Sequence, residues 1–264
     1  MPATARDHGS HDGSAGDADY GAIGVSYRRY RRPDPRIARV VTAALGPART
    51  VCNVGAGAGS YEPTDRGVVA VEPSATMRVQ RPSGAAPVLA ATAEALPFAT
   101  GAFEAAMTTF SVHQWADLAA GLAELRRISR GPVAVLTGDP GRLDRFWLAH
   151  YCPEVLDVER RRYPSVAELA EGLRGHVRHQ VVPVPLDCLD GFNEAYYGRP
   201  EALLDPLARR SCSAWSFVEG GVVDRFEAHL GADLADGTWD RRWGDLRSRP
   251  EFAGSLVLVV AEPG

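Results

Sequence analysis

The 264-residue sequence contains no lysine, and all 29 of its basic residues are arginine. That absence excludes lysine Schiff bases, lysine nucleophiles and a phosphate-binding loop closed by Lys-Ser/Thr. Cysteine is scarce: Cys52, Cys152, Cys188 and Cys212 lie far apart and match no paired zinc or redox spacing. They read as reduced thiols, which suits a cytoplasmic protein. His176 and His179 have the look of a metal pair but no third ligand nearby, so no metal is expected. Long apolar runs are missing as well. The longest, 131–137 and 255–261, fall far short of the roughly 20 residues that a membrane span requires, so no membrane is expected. A net charge of −4 with no basic cluster beyond short Arg pairs gives no footprint for nucleic acid. The partner left is a small molecule. Residues 1–19, rich in Gly, Ser, Asp and His, lack the basic start and apolar middle of a secretory signal and read as a disordered leader.

What is present is one core's worth of hydrophobic side chains, 45% of the chain. Residues 20–264 are expected to form a single catalytic domain, as a monomer or homodimer. Apolar spacing predicts a helix over 35–45, started by Pro33 and Pro35 and stopped by Gly46-Pro47. Short apolar runs at 50–54, 67–72, 87–90, 104–110 and 132–138 read as strands, with a helix over 116–129 between the last two. Beyond them the pattern predicts helices at 142–151 and 165–174 and a strand at 179–184. Segment 187–245 holds helical patches at 201–210 and 222–235 and no convincing strand. It reads as an inserted helical cap before a last strand at 254–261. Alternating strands and helices make the class α/β.

A parallel sheet binds ligands beyond the C-terminal ends of its strands, near the point where strand order reverses. The first βα turn there reads Val54-Gly55-Ala56-Gly57-Ala58-Gly59-Ser60, in which missing side chains let a ligand reach the backbone. Glu72, closing the second strand, can accept hydrogen bonds from both ribose hydroxyls of an adenosine. A dinucleotide fingerprint needs its third glycine at the sixth position, where this chain has Ser60. An extra helix before the first strand also speaks against a nicotinamide enzyme.

The segments VCNVGAGAGSYEP (51–63), VVAVEPSATM (68–77), ATAEALPF (91–98) and TTFSVHQW (108–115) resemble the class I methyltransferases that use S-adenosylmethionine (SAM), closest to small-molecule enzymes of actinobacterial secondary metabolism. The resemblance implies a Rossmann-like seven-stranded sheet with helices on both faces and an antiparallel last strand. SAM is then the cofactor and S-adenosylhomocysteine its product. Gly55, Ala56 and Gly57 are implied to surround the methionyl part, Glu72 the ribose, Pro73 and Met77 the adenine face, Ala93 and Glu94 the adenine edge, and Ser111 the sulfonium. An N-terminal lid is implied to close over the cofactor through Tyr20, Tyr27 and Tyr30, with Arg31 or Arg32 capturing the SAM carboxylate bidentately.

His113, just after the fourth strand, is a natural general base, and a Tyr20–His113 pair can relay a proton from substrate. Many relatives have a second His at the next position, where this chain has Gln114. Aromatics after the fifth strand suggest a flat aromatic substrate, with Trp115, Phe146, Trp147, Tyr197 and Arg225 as candidate contacts. Within the resembling group are enzymes that methylate C3 of indole in tryptophan-derived compounds, including cyclic dipeptides, with closure to a pyrroloindoline. The same site would serve O- or N-methylation of another natural-product scaffold, and a non-catalytic SAM-binding protein is the reading from a different class.

Overall fold

The computed structural model describes residues 29–264. The expected leader, Tyr20 and Tyr27 lie outside the described residues. Helix α1 (Pro35–Ala44) opens on Asp34, whose side chain accepts the backbone N–H of Arg36, with Pro35 at the first turn. Strands β1 (Thr50–Val54) and β2 (Gly67–Val71), helix α2 (Ala75–Val79), and strands β3 (Val88–Leu89) and β4 (Ala105–Thr109) follow. Helix α3 (Leu118–Ile128), capped by Asp117, leads to β5 (Val133–Gly138). Next come α4 (Leu148–Tyr151), α5 (Pro153–Arg162), α6 (Val166–Leu173) and β6 (His176–Val181). Short strands β7 (Val184–Pro185) and β8 (Glu251–Phe252) pair with each other. They bracket α7 (Pro206–Arg210), α8 (Gly220–Ala235) and α9 (Thr238–Trp243), and the chain closes on β9 (Leu256–Glu262).

Seven strands form one sheet in the order β3-β2-β1-β4-β5-β9-β6. The first five run parallel, and β9 enters antiparallel between β5 and β6, with Val259 opposite both Val135 and His179. Every residue of β4 and β5 is buried, which is why these strands read as unbroken apolar runs. Alternate side chains feed two cores. Val51, Met107, Leu136 and Leu258 face one that extends into the segment between β7 and β8; Cys52, Ala106, Val135 and Val259 face the other, under α3 and α6. From β1 the chain steps to β2 on one side while β4 lies on the other, so the order reverses between β1 and β4.

The α/β class, the seven-stranded sheet and the antiparallel last strand are as expected, and the departures are local. The helix expected at 142–151 breaks into a 3₁₀ turn over Pro140–Arg145, begun by the Asp139 side chain on Gly141 N–H, and the one-turn α4. Helix α5 was not expected at all. Its sequence, PEVLDVERRR, is dominated by charge, and only Val155, Leu156, Val158 and Glu159 are buried. The strand expected at 179–184 lies at 176–181. Pro183 and Pro185 cannot donate to a ladder, so pairing with β9 falls on the polar HVRHQV instead, exposed at the sheet edge. The helical patch at 201–210 is split at Asp205-Pro206 into a 3₁₀ turn and α7.

Candidate active site

At the β1/β4 reversal a cradle is lined by the 55–58 backbone and Ser60, by Glu72, Pro73 and Met77 after β2, and by Ala93 and Glu94. Its remaining wall comes from residues 109–111, Gln114, Trp115 and Arg31. Gly55 adopts φ +66°, and a Cβ there would lie 1.8 Å from Ser111 Oγ, so only glycine lets the β1 turn approach the β4 turn. Across the gap, Phe110 is held at φ +52°, a conformation that a bulky side chain rarely adopts and that concentrates at functional sites.

Glu72 is the polar centre of the cradle. Its Oε2 accepts the Gly57 N–H at 2.7 Å and its Oε1 accepts the Ser74 N–H at 2.9 Å. Burial raises its pKa above the ordinary carboxylate value, while those two N–H groups and the charges of Arg78 and Arg81 oppose the rise. Each oxygen keeps a second lone pair for a ligand hydroxyl. Met77, 3% exposed, and Ala93, 6% exposed, supply apolar surface beside it. Trp115 donates through Nε1 to Ser111 Oγ at 3.0 Å, and Glu94 accepts the N–H groups of Ala116 and Asp117. A diol-bearing, partly apolar ligand of nucleoside type therefore fits these residues.

Arg31 and Phe110 also line a second cavity, which holds His113, Glu159, Arg162, Tyr163, Phe192, Asn193 and Cys212. The Arg31 guanidinium is paired with buried Asp190 at 2.5 Å, and Asp190 also accepts the Tyr61 hydroxyl at 2.8 Å. Arg31 stacks over Phe110 at 5.1 Å from the ring centroid. The His113 ring meets Tyr163 edge-on, with centroids 4.8 Å apart. Desolvation, with Arg162 and Arg31 nearby, pushes the His113 pKa well below its usual value, so the imidazole is neutral and resists gaining a proton. Glu159 behaves in the opposite sense. Its Oε1 accepts the Asn193 amide at 2.7 Å, Asn193 Oδ1 in turn accepts Trp215 Nε1 at 2.9 Å, and desolvation pushes the carboxyl pKa up to about 7.

The cradle gathers Gly55, Ala56, Gly57, Glu72, Pro73, Met77, Ala93, Glu94 and Ser111, all expected from the sequence. Other expected residues lie elsewhere. Arg32 is exposed, and its neighbour Arg31 faces both cavities, because backbone pairing of Arg31 with Asp190 turns alternate side chains inward and outward. Trp115, expected at the substrate, is a wall of the cradle. Phe146 and Trp147, 1% and 2% exposed, are core, with Trp147 Nε1 donating to the Tyr197 carbonyl. Tyr197 is itself fully buried, stacks on Phe252 and donates to the Arg249 carbonyl. Arg225 lies on the exposed face of α8, paired with Glu154. An aromatic beside a cavity and one inside the core have the same sequence signature, so composition did not separate them.

Glu159, Arg162, Tyr163 and Asn193 were missed. The available signal was a glutamate at helical spacing from Val155 and Leu156, a charge set on the buried side of a short helix. His176 and His179, three apart in a strand, point to opposite faces and make no metal pair. His150, His229 and Asp233 do bring ligand atoms within 4.8 Å of one another. Arg242 Nη1 lies 3.3 Å from both ring nitrogens of His150, adding positive charge where a cation would sit.

A methyltransferase-domain family model matches residues 52–132, the segment carrying both the glycine turn and Glu72. No curated protein matches the chain. Among solved structures, the chain is similar to an Anabaena variabilis protein assigned as a methyltransferase to an antibiotic biosynthesis pathway. The two are 26% identical, with a TM-score of 0.81, covering 88% of this chain and 99% of that one. A SAM-dependent methyltransferase of Thermotoga maritima, 17% identical over 93% of this chain and 94% of its own with a TM-score of 0.52, shares the fold.

Proposed function

We propose that this SAM-dependent methyltransferase, which has the class I fold, transfers a methyl group to a small secondary-metabolite acceptor in the His113/Glu159 cavity. C3 of the indole in a tryptophan-derived compound, such as a cyclic dipeptide, is the proposed acceptor atom. The observation that carries the reading is the shared wall: Arg31 and Phe110 separate a nucleoside-type cradle from a second cavity with its own titratable groups. The similarity to a protein of an antibiotic pathway supports the acceptor class.

SAM is the cofactor, and it supplies an electrophilic methyl on a sulfonium. In this reading Glu72 takes the ribose hydroxyls, Pro73, Met77, Ala93 and Glu94 enclose the adenine, and the 55–57 turn lies against the methionyl chain. Ser111 and Trp115 form the wall at the sulfur, and Arg31, whose guanidinium is held by Asp190 and the Ser211 carbonyl, sets positive charge beside the carboxylate. Methyl transfer is an in-line displacement, so the protein's part is alignment, exclusion of water and removal of a proton. The segment 187–245 contributes Phe192, Asn193 and Cys212 to the acceptor cavity and serves as its cap. C3 attack builds positive charge on the indole nitrogen, which a cavity holding a carboxylate and a neutral imidazole stabilises. Tyr20 remains a proposed partner of His113 from outside the described residues.

The test is incubation with SAM and a series of cyclic tryptophan dipeptides, read by mass spectrometry and NMR. The expected product is heavier by one methyl and carries a quaternary carbon at indole C3. Unchanged dipeptide, or a methyl on nitrogen or oxygen, would overturn the indole assignment.

A further inference from the structure

We propose that Glu159 is the general base of the acceptor cavity, taking the proton from an aromatic acceptor's ring N–H or O–H, while His113 positions that acceptor. The assignment rests on methyl transfer to an acceptor in this cavity.

The geometry begins with α5. Glu159 shares the buried side of that helix with Val155 and Val158, and its carboxylate lines the same cavity as His113 and Phe110. The donor from Trp215 Nε1 fixes the Asn193 amide with its oxygen toward the indole, leaving the NH₂ group to bond Glu159 Oε1. That relay holds one carboxylate oxygen. Among the described residues no other hydrogen bond is made to the carboxylate, so its second oxygen is available to an acceptor.

The groups around Glu159 explain why it takes up a proton more readily than His113. Arg162 on the same helix and Arg31 beside the cradle favour its ionised form, whereas Glu194 and the loss of water disfavour it. Among the described residues Tyr163, His113 and Cys212 also line the cavity: the phenol and the thiol have pKa values raised by burial and stay protonated, and the imidazole stays neutral. Burial thus raises the proton affinity of the carboxylate toward neutrality, where a general base is most effective, and lowers that of the imidazole.

The step balances as follows for an indole. The C2–C3 π electrons form the new bond to the methyl carbon as the carbon–sulfur bond breaks, leaving its electron pair on the sulfur of S-adenosylhomocysteine. The ring nitrogen, now part of a C=N⁺ bond, releases its proton to Glu159, which passes it to solvent after product leaves.

The test uses the full chain, wild type and Glu159→Gln, with SAM and cyclo-(L-Trp-L-Trp) as the probe acceptor. A glutamine retains the oxygen that accepts from Asn193, so the fold around it is kept. Glu159→Asp, which keeps the charge one methylene farther back, serves as the second variant. The wild-type kcat is expected to rise with pH through a midpoint near the carboxyl value of about 7. Glu159→Gln should lower kcat about 100-fold and abolish that limb, with S-adenosylhomocysteine affinity unchanged, and Glu159→Asp should restore the limb with part of the rate. A Glu159→Gln enzyme with near wild-type kcat and the same limb would overturn the assignment. In parallel, carboxyl-¹³C-glutamate NMR of the S-adenosylhomocysteine complex should show, beside the Glu194 signal, a second signal titrating near neutrality that is missing in Glu159→Gln. A Glu159 signal titrating in the ordinary glutamate range, roughly 4.3, would also overturn it. Should wild type leave the dipeptide unchanged, the indole reading falls, while the Glu159 assignment is decided by the NMR midpoint.

Discussion

Replacing Glu72 by alanine tests the centre of the cradle. The wild-type carboxylate is 7% exposed and already bound by the Gly57 and Ser74 N–H groups at 2.7 and 2.9 Å, so it is aimed before ligand arrives. Two ribose hydroxyls donating to it would each contribute about 1.5–3 kcal/mol, as hydrogen bonds to a charged acceptor do. Losing both costs at least about 3 kcal/mol, or roughly 150-fold in Kd. The assay is calorimetric titration of S-adenosylhomocysteine into wild type and Glu72→Ala. Because Glu72 also ties two loops, the 2′-deoxy form of the ligand is titrated into both proteins. Removing the hydroxyl should weaken binding to wild type about tenfold or more and leave binding to the variant nearly unchanged, since its partner is gone. A folded Glu72→Ala protein that binds S-adenosylhomocysteine like wild type, or that still discriminates against the 2′-deoxy ligand, would refute the reasoning.

Two further outcomes are expected. Gly55→Ala places a methyl 1.8 Å from Ser111 Oγ at φ +66°, whereas Gly57→Ala meets only the flexible end of Met77 at 3.3 Å. Gly57 is at φ +52°, so both variants carry about 1–3 kcal/mol of backbone strain, but only the first adds the clash; it should weaken S-adenosylhomocysteine binding by about tenfold or more, and clearly more than the second in the same titration. Glu194, 3% exposed and accepting the Ser255 N–H with both oxygens, has its carboxyl pushed up to about 7 by burial. The folded state therefore keeps a proton that the unfolded chain releases near 4.5. This contribution to stability is complete below about pH 4.5, is lost as pH rises through about 7, and is constant above that. Between pH 5 and 8 the group accounts for a loss of roughly 2–3 kcal/mol, so Glu194→Gln should flatten the pH dependence of denaturant stability by about that amount. The cost of the amide itself does not vary with pH, so an unaltered slope would remove the argument.

The cradle was almost wholly legible because its residues follow one another along the chain at the ends of β1, β2 and β4. A tight turn without side chains and a carboxylate closing the next strand are local features, and apolar runs announced the strands that carry them. Arg31 and Arg32 show where local reading stops. Both are cations in the same stretch, and only the backbone pairing of Arg31 with Asp190, 159 residues away, decides which one faces the cavities. The aromatics failed for a related reason. Phe146, Trp147 and Tyr197 are apolar enough to enter either core or cavity, and the packing of the segment between β7 and β8 onto the sheet put them in the core.

The sequence by itself determined the α/β class, the parallel strands, the glycine turn and the acidic partner proposed to receive the methyl donor, because each depends on spacings within a few dozen residues. It also excluded lysine chemistry outright. The second cavity, proposed to hold the acceptor, was decided only by tertiary structure, which brings a helix at 153–162 and the segment around 193–214 against the turn after β4. Proton affinity followed the same division. Nothing in the residue types says that His113 should be held neutral and Glu159 raised toward neutrality; both result from desolvation and from charges contributed by Arg31, Arg162 and Glu194, which only the fold assembles.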